Sequence, residues 1–145
     1  GYLDAIKPTG GTSMGAAIGQ FVRQFHGGGL VILISDFLDR PGYEQALRLL
    51  HYHRFDVLVI RINDREEIEP TLTGDVELID SENGDRRTVQ MSPDVIARYK
   101  AAVEELYGEL QRLCKIMKRG YVSIVTETPF ETVIFDVFRR GGFVK

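Results

Sequence analysis

Met14, Ala16, Ala17, Ile18, Phe21, Val22 and Phe25 recur at helical spacing and follow the turn signal Thr9-Gly10-Gly11-Thr12-Ser13. The spacing predicts a first helix with Thr12 or Ser13 as its N-cap, ended by Gly27-Gly28-Gly29. Leu30-Val31-Ile32-Leu33-Ile34 is continuous and aliphatic, not alternating, which is the pattern of a strand covered on both faces in a parallel sheet. Pro41 opens a second helix, roughly Tyr43 to His53, with Ala46, Leu47 and Leu50 facing inward. Asp56 to Ile62, reading DVLVIRI, is a second buried strand. Strand, helix and strand make a βαβ unit, expected to cross over right-handed.

Asn63 to Glu69 reads as a polar, acidic loop. Val76 to Asp80 and Arg86 to Met91 read as a β-hairpin turning at Asn83-Gly84. Ser92-Pro93-Asp94 starts the longest helix, running to about Arg119, and Gly120 stops it. Its apolar residues Ile96, Tyr99, Val103, Leu106, Leu110, Leu113 and Met117 step alternately by three and four, so they share one stripe. Tyr121 to Val125 is a third buried strand, and Pro129 opens a last helix through about Arg140. Strands alternating with helices predict a three-layer α/β fold, a mostly parallel sheet with helices on both faces plus the hairpin. No repeat or linker divides the chain, so residues 1–145 are expected to form a single domain.

Composition narrows the function classes. The 145 residues are 43% hydrophobic and 27% charged, an ordinary globular balance. The formal net charge of −3 gives no electrostatic reason to expect nucleic acid as the partner. One cysteine, Cys114, cannot form an intrachain disulfide; it lies beside an apolar stripe and reads as a buried structural thiol. The longest purely aliphatic run, Leu30 to Ile34, is far too short to span a bilayer. The expected location is cytoplasmic, with a membrane anchor elsewhere in a longer parent protein left open.

Open α/β sheets place their sites beyond the carboxyl ends of the strands. Ser35, Asp36, Asp39, Asn63, Asp64, Glu127 and Thr128 fall there, and so does the Gly10-Gly11-Thr12-Ser13 loop before the first helix. A hydroxyl and a carboxylate at neighbouring loop ends offer hard oxygen ligands for Mg²⁺ or Mn²⁺. The same residues also suit helix capping, at Thr12 and at Asp36 or Asp39. Asp64, Glu66, Glu67 and Glu69 admit a metal site or a solvated loop. His51 and His53 do not share a helix face, and GxxxxGK[ST], GxGxxG, GxSxG, HExxH and CxxC are all absent.

Two stretches resemble the metal-site motifs of von Willebrand factor type A domains. Thr9-Gly10-Gly11-Thr12-Ser13-Met14-Gly15-Ala16-Ala17-Ile18 resembles the second motif, and Leu33-Ile34-Ser35-Asp36-Phe37-Leu38-Asp39 the third. Val59-Ile60-Arg61-Ile62-Asn63-Asp64-Arg65-Glu66-Glu67, followed by Leu78-Ile79-Asp80, is similar to the bacterial domain of unknown function 58, a von Willebrand A-like group. The resemblance covers nearly the whole chain, in order. It implies a doubly wound parallel sheet and a metal-ion-dependent adhesion site. In that site Thr12 would bind the metal directly and Asp36 directly or through water, with Ser13 beside them and Asp39 and Asp64 as outer candidates. It further implies a non-enzymatic protein-protein adaptor, working with a MoxR-type AAA+ ATPase in the assembly or maturation of other proteins.

One departure matters. The first motif of such a site, Asp-x-Ser-x-Ser, is absent, because Asp4 is followed by Ala-Ile-Lys. The chain, which begins at Gly1, therefore reads as the C-terminal portion of the domain, without its N-terminal strand. A hard cation takes about six oxygens. The intact domain is expected to hold Mg²⁺ or Mn²⁺, and this chain to bind metal weakly or not at all. The missing strand would leave Leu30–Ile34 as an apolar edge, so self-association through that strand is a further expectation. The alternative function is a Mg²⁺-dependent phosphoryl hydrolase using Asp36, recognisable by turnover that Asp36→Asn abolishes.

Overall fold

A computed structural model describes residues 13–70, 74–79, 85–129 and 131–135. Helix α1 spans Met14–Gln24, strand β1 Gly29–Ser35, α2 Arg40–Tyr52 and β2 Phe55–Asn63. The short helix α3 spans Arg65–Ile68, β3 Gly74–Ile79, β4 Arg86–Met91, α4 Pro93–Ile116 and β5 Gly120–Val125. Residues 131–135 are helical, where the sequence predicts the last helix.

β1, β2 and β5 form one parallel sheet with β2 in the centre, and β3 pairs β4 antiparallel as the predicted hairpin. The register sets Val31, Val57 and Tyr121 on one face and Ile32, Leu58 and Gly120 on the other, because side chains alternate along each strand. On the first face, Leu33, Val57 and Val59 join Ile18 and Val22 of α1, Leu47 and Leu50 of α2, and Leu110 and Cys114 of α4 in one buried cluster. The second face carries its own cluster, Leu58, Ile60 and Val122, with Ile62 and Ile124 against it. The fold is thus mixed α/β, an open parallel sheet with an added hairpin and helices packed around it.

Two local readings are corrected. β1 is not covered on both faces: Leu30, Ile32 and Ile34 are 49%, 47% and 60% exposed, whereas Leu33 is buried. β1 lies at the edge of the described sheet, and β2, paired on both sides, is buried on both faces. Gly120 does not stop α4. The helix ends at Ile116, and Lys118 adopts the left-handed conformation with φ 55°. The Arg119 amide donates to the Cys114 carbonyl at 2.8 Å and the Lys118 amide to Lys115 at 3.1 Å, so the last carbonyls are satisfied and Gly120 begins β5.

Candidate functional site

The strand-end residues gather where the reading of an open α/β sheet places them, at the carboxyl ends of parallel strands. Ser35 closes β1 and its hydroxyl donates to the Asp36 carboxylate at 3.2 Å. That hydroxyl also accepts the Phe37 amide at 3.1 Å, while Asp36 accepts the Leu38 amide at 3.2 Å. Between these two turns Phe37 has φ 58°, a conformation costly for a bulky residue. Its ring is 1% exposed and meets Tyr43 edge-on at 6.1 Å, so packing holds the strained backbone in place. Asp36 itself is exposed.

Ser13 is the N-cap of α1 and accepts the Ala16 amide at 3.3 Å. Ser13 and Ser35 line one groove of about 570 Å³, whose apolar wall includes Met14, Ala17, Ile32 and Ile34. The structure therefore brings two hydroxyls to one groove, with the Asp36 carboxylate adjoining it. Thr12, with Gly10 and Gly11, lies outside the described residues, as do Asp80 and the Asn83-Gly84 turn.

The two outer candidates are engaged as caps. Asp39 is the N-cap of α2 and accepts the Gly42 amide at 3.2 Å. A Cβ at Gly42 would meet that carboxylate, so a larger residue there would require the Asp39 side chain to shift. Asp64 caps α3 in a reciprocal box: its carboxylate accepts the Glu66 amide at 2.8 Å, and Glu67 accepts the Asp64 amide at 3.3 Å. The acidic stretch is accordingly a short helix rather than a loop, because the Asp64…Glu67 spacing satisfies its first amides. Asn63, read as the start of that loop, is the last residue of β2. It is 1% exposed and donates to the Ser123 hydroxyl and the Ile124 carbonyl, tying β2 to β5. Glu127 pairs with Arg65 at 3.6 Å, and the Thr128 hydroxyl accepts the Val125 amide at 3.3 Å.

Capping and site roles separate by mutation. Asp39→Ala is expected to lower the unfolding free energy by about 1 kcal/mol, the usual cost of a lost N-cap. Asp36→Ala, which removes a carboxylate that caps no helix but accepts the Ser35 hydroxyl and the Leu38 amide, is expected to cost less, about 0.5 kcal/mol. Denaturant titrations of the two variants check the difference.

The donors fit a hard cation in kind, being hydroxyl and carboxylate oxygens, but not in number. Among the described residues no group of three or more His, Cys, Asp and Glu could hold a metal ion. Also among the described residues, no helix is long and apolar enough to cross a membrane.

One polar residue stands apart from the strand-end set. Arg61, inside the aliphatic run of β2, is 7% exposed and its guanidinium lies 3.4 Å from the centroid of the Tyr107 ring. An arginine interrupting an apolar strand was the sequence signal for it.

The chain is similar to a solved structure, the conserved hypothetical protein BatB from Bacteroides thetaiotaomicron, at 16% identity and a TM-score of 0.46. The match covers 97% of this chain and 67% of that one. No curated protein matches the chain. The model of the family described as protein of unknown function DUF58 matches residues 2–107, and the chain belongs to that family.

Proposed function

We propose that the chain is a non-enzymatic interaction domain, von Willebrand A-like, whose contact surface is the strand end bearing Asp36. The observation that carries this reading is the state of the three aspartates. All three are exposed; Asp39 and Asp64 hold helix N-termini, whereas Asp36 caps no helix and accepts the Ser35 hydroxyl and the Leu38 amide, on a backbone held in a strained turn. A strained, exposed polar turn on a rigid sheet end suits recognition better than it suits stability.

In this reading the domain is a cytoplasmic adaptor. It works with a MoxR-type AAA+ ATPase in assembling or maturing other proteins, and residues 1–145 act as one unit of a larger domain. Mg²⁺ or Mn²⁺ enters only where further oxygens, Thr12 among them, complete the set around Asp36. Self-association through Leu30–Ile34 belongs to the same proposal, since an apolar strand edge favours pairing with another strand.

Electron paramagnetic resonance during Mn²⁺ titration tests the metal half, using the protein as its gene encodes it. Bound Mn²⁺ is expected, lost in Asp36→Ala. Undiminished binding in Asp36→Ala would remove Asp36 from the site.

A further inference from the structure

Arg61 is a buried cation without an anion. Its Nη2 donates to the Ser123 hydroxyl at 2.8 Å, and its guanidinium stacks on Tyr107. Nε and Nη1 are buried and meet no acceptor. Arg40, Arg65, Arg86 and Arg119 make ion pairs, whereas Arg61 makes none with the described residues. Burial pulls its pKa below the ordinary arginine value, yet a guanidinium does not shed its proton in proteins. An uncompensated buried charge is strongly destabilising, so a fold that keeps one at the centre of its sheet keeps it against its own stability.

Arg61 also lines a cavity of about 700 Å³. Tyr107, Tyr121, Ser123 and Gln111 line it as well, with Ile68 and Val103 beside them. Its rim carries Lys100 but also Glu69 and Glu104, all exposed. The lining therefore sets aromatic and aliphatic side chains and the polar Ser123 and Gln111 around one positive charge, while the rim is acidic on balance. A dianion such as phosphate meets two glutamates at the entrance. A monoanion on an apolar body meets less repulsion and fits the wall.

We propose that this cavity is a binding site for a small monocarboxylate, its carboxylate paired with Arg61 and its apolar body held between Tyr107, Tyr121 and the aliphatic wall. The carboxylate supplies the counter-charge that Arg61 lacks. The site uses none of Ser13, Asp36 or their groove, so it stands independently of the strand-end reading.

Benzoate is the probe, added to ¹⁵N-labelled protein at constant ionic strength and followed by amide shifts, with inorganic phosphate as the comparison. Saturable shifts around residues 61, 107 and 121 are expected with benzoate and not with phosphate. Arg61→Met should weaken benzoate at least about tenfold while leaving the fold as stable or more so, since it removes an unpaired buried charge. Arg61→Lys keeps the charge but loses the planar fork, and should weaken benzoate by about tenfold as well. Should Arg61→Met fail to fold, Arg61→Lys decides. Absence of saturable shifts, equal binding of phosphate, or undiminished benzoate affinity in the folded variant would overturn the proposal.

Discussion

Leu50→Ala is expected to lower the unfolding free energy by about 3 to 5 kcal/mol and the melting temperature by about 10 °C or more. Leu50 is 0% exposed, on the face of α2 that packs on β2. It joins Leu47, Val57 and Val59 in the cluster that also holds α1 and α4 to the sheet. Truncation removes the transfer free energy of its side chain and leaves a cavity between a helix and a central strand. Neither element can collapse into it without breaking the parallel register. Tyr52 lies on the same helix but is 81% exposed, so Tyr52→Ala should change stability by less than about 0.5 kcal/mol. Denaturant unfolding checks both, and a loss under about 1 kcal/mol for Leu50→Ala would contradict the packing described.

Cys114 should resist alkylation in the folded protein by more than about a hundredfold relative to the unfolded chain. The thiolate is the reactive form. Burial pushes this thiol up to about 11, and the residue is 1% exposed. At pH 8 the folded protein then holds roughly one thiolate in a thousand, against about one in ten for a free cysteine at its ordinary value of 9.0. The same shift predicts how stability varies with pH. A raised pKa means that the native state keeps a proton that the unfolded state has released. The contribution of Cys114 is therefore full below the ordinary value of 9.0 and is lost as pH rises to about 11. Tyr43 and Tyr121 are also raised, burial being the first cause in each, and act in the same direction. Unfolding measured from pH 8 to 11 should show a steady fall; a flat profile would contradict the buried state of these groups.

Elements whose signals are local were legible. The DVLVIRI run located β2 to within one residue at each end, because a central strand is apolar on both faces and its neighbours in sequence are not. Ser92-Pro93 located the start of α4, where Ser92 accepts the Val95 amide at 3.4 Å. Features set by distant partners were not legible. Leu30–Ile34 has the same aliphatic pattern as a central strand; its place at an edge was expected from the absent first motif, not from its own residues, and the strand order of the described sheet agrees. The end of α4 depended on a lysine accepting the left-handed conformation, against its intrinsic preference. In the acidic stretch the capping box was present as Asp64 and Glu67, but the length of the polar run favoured a loop. Of the candidate site, Ser35 and Asp36 were visible as strand-end oxygens and Ser13 as a loop oxygen before the first helix. Arg61 was not singled out in the sequence, since its ring partner lies on α4, far along the chain.

The central claim is that Asp36 is the recognising group of an interaction surface. The most direct measurement is calorimetric titration of the gene-encoded protein with a MoxR-type AAA+ ATPase, in Mg²⁺ and in EDTA, for the native sequence and Asp36→Ala. Binding in Mg²⁺ that weakens at least about a hundredfold in EDTA and in Asp36→Ala, with Asp39→Ala retaining it, is the predicted result. Binding of equal strength by the native protein and Asp36→Ala would contradict it.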